Sequence, residues 1–412
     1  MPHDTSLGLG LAFAAAAMWP GAGTAATYQI IANRPGGITA ALAADPHGKL
    51  YGVDANQYGD SNGELFVLTP PAGGSATWGN ATLLAYIDAY PEIYVPNGVA
   101  LSRSGIVQTS QYGLLPGGFS GGTAALITPT GAIKNLHAFL GGSVSPPDGQ
   151  NPQAPLAAGP NGLYYGTTSL NEAGLETVFQ VSASPASPDY AILHVFGSIA
   201  NDGDEPSPAA LTAGPNTMLY GVTMDGGTHR LGTAYALQYS NGSWSYRVLH
   251  SFGATGDLQN PPDNMVLDAQ GNLYGCAGGG PTSYGGIFRL TPGAHPTSNW
   301  TESVVYTFGA GSGSGFNPAN GCGLAIDTAT GRLVGEVGAG GVYGYGVLFE
   351  VDPPAAGQIA WTETVLHSFD GSMTDGGYPE GAPIKVGATY YGGTSLGSRA
   401  AAVLGSIYAM TP

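Results

Sequence analysis

The sequence predicts an all-β ring, a seven-bladed β-propeller of four-stranded antiparallel blades, and three observations carry that prediction. A short strand ending in a turn recurs seven times, two further strands recur around it, and the last copy lacks a strand that the start of the chain supplies. Composition agrees. The 412 residues include 69 Gly and 31 Pro, yet 43% are apolar and 10% aromatic, side chains that a disordered segment lacks. Long helical periodicity is absent from the sequence, so short strands and many turns account for the glycine and proline.

The register mark is the third strand of each unit. It reads GELFVLTP from Gly63, GTAALITP from Gly122, ETVFQVSA from Glu176, GTAYALQY from Gly232, GGIFRLTP from Gly285, GVLFEVDP from Gly346 and GSIYAMTP from Gly405, with starts 53 to 61 residues apart. Alternating apolar positions, often followed by proline, describe a strand that stops abruptly. Upstream lies an apolar stretch, a tight turn and a Tyr-Gly strand, as in LYGV at Tyr51, YYGT at Tyr165, LYGV at Tyr220 and LYGC at Tyr274. Downstream comes a strand ending in Phe, as in NLHAFL at His137, ILHVFG at His194, VLHSFG at His250, VVYTFG at Tyr306 and VLHSFD at His367. Each unit therefore holds the four strands of a blade. The seventh unit has three strands before Pro412, while TYQIIANRPGG, Thr27 to Gly37, reads as an outer strand with its following loop. The expectation is that this N-terminal strand completes the last blade and protects edges that an open array would expose.

Taken together, LYG with a Gly-rich loop, the G-x-[apolar]-F-x-[apolar]-TP strand and the LHxFG strand resemble the Gloeobacter/Verrucomicrobium tandem repeat across nearly the whole mature chain. The resemblance implies a secreted or surface-associated bacterial protein, and it implies no catalytic residues. Two positions depart from the pattern: Val107-Gln108 replaces Tyr-Gly in repeat two, and Val334 replaces Tyr in repeat six. The family's members often carry C-terminal anchors; here none follows Pro412, so a free secreted protein is expected.

Residues 1–26 read as a signal peptide, leaving the propeller over 27–412: an apolar run from Leu9 to Met18 precedes Pro20 and the small stretch Ala22 to Ala26, although no Lys or Arg comes before the run. That run is too short to anchor the chain, so the expected location is secreted or cell-surface and the protein is not membrane-spanning. Ten basic against 27 acidic residues give a formal charge of −17, which argues against nucleic acid as a partner. Cys276 and Cys322 fall in neighbouring repeats, on the second strand of one and the first of the next, and form either a disulfide or two buried thiols.

Chemistry-bearing residues divide into periodic and irregular ones. His137, His194, His250 and His367 share one repeat position two residues before a Phe, so they read as packing residues with locally bonded imidazoles. Trp244, Trp300 and Trp361 stand six residues before that His or Tyr, with Trp78 near the same register, and read as interblade packing. Function is sought where repeats differ. The loop joining strands two and three shares one rim with the loop leading to the next blade, and binding residues sit on loops held by a rigid scaffold. The rim candidates are Tyr94, Asp202, Asp204, Glu205, Tyr343, Asp375, Tyr378 and Glu380. Asp202, Asp204 and Glu205 offer oxygen ligands for Ca²⁺ within four residues, against the plainer reading of an Asp-Gly turn. No G-x-S-x-G stands in a strand-to-helix setting, HExxH is absent from the sequence, and Gly-rich stretches such as Gly278 to Gly280 belong to the repeat loops and open no helix that could cradle a nucleotide. The leading expectation is a binding or surface-associated protein, not an enzyme, that presents this rim to an extracellular glycan, small ligand or protein. The alternatives are a polysaccharide hydrolase or lyase using rim carboxylates, and a purely structural scaffold.

Overall fold

The computed structural model describes residues 27–412 apart from 35–36, 39, 56–63, 72–77, 80, 87–93, 116–117, 142–147, 160–161, 170–174, 185–188, 283, 295–299, 310–314, 316–320, 373 and 397–404. The signal peptide expected over residues 1–26 lies outside the described residues. Seven antiparallel sheets follow one another along the chain and form a ring of blades, as the repeats predict. Blade 4 shows the pattern: a broken inner strand, Gly203–Pro206 and Thr212–Ala213, then Met218–Gly226, Thr233–Ser240 and the outer strand Ser243–Ser251. Inner strands of neighbouring blades touch around the centre of the ring.

The repeat motif has a packing cause. In six blades the glycine of the second strand lies opposite an aromatic ring of the third: Gly52 with Phe66, Gly166 with Phe179, Gly221 with Tyr235, Gly275 with Phe288, Gly335 with Phe349 and Gly392 with Tyr408. A Cβ on Gly166 would fall 2.7 Å from the Phe179 ring, and one on Gly335 2.6 Å from Phe349, so the ring occupies the space that only glycine leaves. Blade 2 explains its own departure: Gln108 replaces the glycine and its cross-strand partner is Ala125 instead of an aromatic. Side-chain bulk has moved from the third strand to the second. The tyrosine preceding the glycine packs outward against the next blade's tryptophan. Tyr165 meets Trp244, Tyr220 meets Trp300, Tyr274 meets Trp361, and across the closure Tyr391 meets Trp78, with ring centres 5.4 to 6.0 Å apart. The outer strand of every blade carries one unpaired residue at the same place, for example Leu136, Leu193 and Leu249. Such a bulge bends the strand and re-aims the residues after it, here the His and Phe positions.

Closure is formed by the N-terminal strand. Thr27–Arg34 runs antiparallel to Gly405–Thr411, from Thr27 opposite Thr411 to Arg34 opposite Gly405, and completes blade 7. At its end Arg34 is buried beneath blade 1: Nε donates to Asp54 Oδ2 at 2.9 Å and Nη2 to Glu64 Oε2 at 2.5 Å. Its guanidinium also covers the Phe66 ring at 4.7 Å. One side chain thus ties the last blade to the first. Farther round, a Cys276–Cys322 disulfide joins blade 5 to blade 6.

Breaking a buried ion pair leaves an uncompensated charge, here that of Asp54, which is 3% exposed. Arg34→Ala is therefore expected to lower the unfolding free energy in urea by about 3–5 kcal/mol. A change within about 0.5 kcal/mol, the usual effect of a surface substitution, contradicts this role.

Candidate functional site

The four histidines at the end of the outer strand each bond a carboxylate on the loop that leaves for the next blade. His137 Nε2 meets Asp148 Oδ2 at 2.8 Å, His194 meets Asp202 at 3.0 Å, His250 meets Asp257 at 3.1 Å and His367 meets Asp375 at 2.6 Å. The next blade then covers three of these imidazoles with a tyrosine. Tyr190 stacks on His137, Tyr246 on His194 and Tyr28 on His367, with ring centres 3.4 to 3.6 Å apart and nearly parallel planes. Burial holds the His194 imidazole below its ordinary range, although Asp202 pulls the other way. Burial alone would raise Asp148, but bonds from His137 and Tyr190 outweigh it and hold the carboxyl below its usual range. These pairs stiffen the base of one rim.

That rim carries the residues singled out from the sequence, and the structure divides them. Asp202 and Asp375 face inward as histidine partners, and Asp202 is nearly fully buried. Asp204 and Glu205 are exposed on the inner strand of blade 4, where the Glu205 N–H donates to Glu176 Oε2 at 3.0 Å. Tyr94 is placed by its backbone, in register with Tyr112 of the long second strand of blade 2. Among the described residues, Asp202, Asp204 and Glu205 do not form a group of three side chains within metal-ligating reach; His250, Asp257 and Glu302 do.

The residue before the inner-strand proline adopts the left-handed conformation in four blades: Asn151 (φ 54°), Glu205 (φ 53°), Asn260 (φ 53°) and Tyr378 (φ 50°). Asparagine tolerates that region, whereas a bulky side chain there is strained. Blades 4 and 7 thus hold Glu205 and Tyr378 in a costly backbone position, and such strain concentrates at functional sites. Tyr378 sits within an aromatic patch built by two blades. Its N–H donates to the Tyr345 carbonyl at 2.8 Å, its ring meets that of Tyr345 edge-on at 5.5 Å, and Gly371 lies against the Tyr345 ring. Tyr343 is 60% exposed and Val342 67%. With Ile199 and Tyr284, six of the eight exposed large apolar side chains among the described residues lie at this one rim. The periodic tyrosines are buried or half-buried, and these irregular ones are exposed.

Deeper, between the inner parts of blades 5, 6 and 7, three acids share one electrostatic neighbourhood. Burial pushes the Glu336 carboxyl well above the usual range against the opposing pull of the Tyr408 hydroxyl, and the nearby charges of Asp263 and Glu380 add to the rise. Burial likewise raises Asp263, and burial followed by the Asp263 charge raises Glu380. Among the described residues neither Glu336 oxygen meets a partner in good hydrogen-bond geometry, although Glu336 Oε1 and Tyr408 Oη both crowd Gly392. Glu336 stands where other blades place the buried Val53, Val222 or Cys276, so a register comparison could have flagged both the residue and its burial, but not the nearness of Asp263 and Glu380 from other blades. The opposite rim bears a groove of about 690 Å³ between blades 5 and 6, lined in part by Tyr274, Arg289, Ser303 and Trp361. There Arg289 Nε and Ser303 Oγ face no hydrogen-bond partner among the described residues. Sequence reasoning passed over this groove because its aromatics are the periodic ones.

Residues 172–408 match the family model described as the Gloeobacter/Verrucomicrobia repeat. No curated protein matches the chain. Among solved structures it is similar to a candidate 6-phosphogluconolactonase from Bacteroides uniformis, at 18% identity over 79% of this chain and 84% of that one, TM-score 0.49. It is also similar to an α-L-arabinofuranosidase from Fusarium graminearum, at 12% identity over 91% and 92%, TM-score 0.45. A third is the NanB sialidase of Streptococcus pneumoniae, at 11% identity over 93% and 70%, TM-score 0.45. These likenesses concern the fold alone. Among the described residues no helix is long and apolar enough to cross a membrane.

A carboxyl raised by burial keeps its proton while the unfolded chain releases one above about pH 4.3, so its contribution to stability falls as pH rises. Glu336→Gln escapes that loss. Its melting temperature relative to the parent protein is expected to rise between pH 4 and pH 8 in thermal scans; a difference that stays constant or shrinks with pH contradicts a buried, protonated Glu336.

Proposed function

Because this chain belongs to the Gloeobacter/Verrucomicrobia repeat family and folds as a seven-bladed propeller, we propose that it is a secreted binding protein whose blade 6 and 7 rim holds a glycan. The observation that carries this reading is the exposed cluster of Val342, Tyr343, Tyr345 and Tyr378 in a chain whose repeat tyrosines are buried or half-buried. A contiguous apolar patch with a polar surround marks an interaction surface. Tyrosine suits a sugar because its ring offers a flat apolar face to C–H groups while its hydroxyl bonds to theirs. Asp370, exposed beside the glycine that packs on Tyr345, supplies an acceptor for sugar hydroxyls at the patch edge. Strain at Tyr378 fixes its ring before any ligand arrives, which reduces the ordering cost of binding.

Glu336 favours a second reading, a polysaccharide-cleaving enzyme, since a carboxyl raised by burial near two other acids is shifted in the direction a general acid needs. Release of reducing ends from a polysaccharide, lost on Glu336→Gln or Glu380→Gln, would establish it.

Binding to immobilised neutral and acidic glycans, followed by calorimetry on the best ligand, tests the first reading. Tyr343→Ala and Tyr378→Ala are each expected to weaken binding about tenfold or more, the loss of an aromatic anchor, with the melting temperature unchanged. Affinity unaffected by both variants but lost on Arg289→Ala would move the ligand to the opposite rim, and the absence of any bound glycan would refute the proposal.

A further inference from the structure

At the junction of blades 4 and 5 the repeat histidine meets a carboxylate in place of a tyrosine ring. Where blades 3, 4 and 7 offer Tyr190, Tyr246 and Tyr28 to the preceding blade's histidine, blade 5 offers Glu302 to His250. His250 Nε2 then lies 3.1 Å from Asp257 Oδ2 and 3.0 Å from Glu302 Oε2. All three potential ligand atoms fall within 4.8 Å of one another, and the Glu302 side chain is 1% exposed.

We propose that His250, Asp257 and Glu302 form a binding site for a divalent transition metal, with Zn²⁺ the best fit. Three independent features support it. An imidazole nitrogen carries either one proton or one lone pair, so Nε2 has one position to share between two carboxylates. A cation between them satisfies all three. The spacing suits that role, because Zn–N and Zn–O bonds of about 2.0–2.2 Å set tetrahedral ligand atoms about 3.3–3.6 Å apart, a few tenths wider than the two contacts found here. Both carboxylates are also already oriented: the Leu258 N–H donates to Glu302 Oε1, the oxygen turned away from His250, at 2.9 Å, and the Ala254 N–H to Asp257 Oδ2, the oxygen that faces His250, at 3.2 Å. Main-chain donors that aim a ligating carboxylate are a recurring second layer of metal sites. Three protein ligands leave a fourth tetrahedral position for water or a ligand group, on the same rim as the aromatic patch.

The adjoining junction shows what this position does without a histidine. Tyr306 takes the histidine's place and donates to Glu363 Oε2 at 2.6 Å, a neutral hydroxyl satisfying one carboxylate. The His250 junction places a second carboxylate, Asp257, against the same nitrogen.

The full-length protein, stripped with EDTA and titrated with ZnCl₂ by calorimetry, is expected to take up one equivalent of Zn²⁺, verified by elemental analysis after gel filtration. Glu302→Tyr, which restores the tyrosine found at three other junctions, and Glu302→Gln, which keeps the shape, are both expected to weaken uptake at least tenfold. Zn²⁺ is expected to raise the melting temperature of the parent protein and of neither variant. Since Glu302→Tyr reproduces a junction that folds elsewhere in the ring, a stable variant that has lost Zn²⁺ supports the site. Uptake unchanged in both variants, or no stoichiometric uptake by the parent protein, overturns it.

Discussion

A propeller chain leaves an open sheet edge where its two ends meet, and an unpaired terminal strand there is a template for pairing with another chain. In this protein the pairing of Thr27–Arg34 with Gly405–Thr411 closes that edge. Its two ends are fastened differently. Tyr28 lies between His367 and Tyr408 and donates to the Asp375 carbonyl, so the strand begins inside the histidine network of blade 6. Arg34 ends it in the acidic pocket of blade 1. The closing strand therefore touches three blades, and the rim geometry holds only while all three keep their places.

Inside six of the seven blades a second constraint repeats: one aromatic ring laid over one glycine of the adjacent strand. This is why the architecture is legible in the sequence. A packing rule imposed in nearly every blade leaves the same letters at the same spacing, and LYG with GxxF is its trace. The blade 2 exchange, Gln108 opposite Ala125, shows that the rule concerns volume and not residue identity. The tryptophans read correctly as interblade packing for the same reason, since each meets the repeat tyrosine of the preceding blade.

The site is less legible, because it is made by residues from different blades. The sequence shows His194 and Asp202 as a repeated histidine and a turn aspartate, but their bond depends on how the loop folds back. Glu302 lies 52 residues from His250 and gives no local sign of its neighbour. Tyr378 is visible as a loop aromatic, yet its left-handed backbone and its contact with Tyr345 belong to the folded chain. Across the molecule the periodic residues carry packing and the exceptions carry exposed rings, strain and unshared charge. The natural division of labour is a ring stabilised by repetition, with binding chemistry confined to the positions where repetition lapses.

Ring closure by the N-terminal strand is most directly read by amide hydrogen exchange of the native protein, followed by mass spectrometry of peptides covering 27–34 and 405–411. If the two strands close one sheet, both peptides exchange slowly and lose protection together as urea approaches the global transition. Exchange of the 27–34 amides within seconds, while 405–411 stays protected, would show an open last blade and contradict the account.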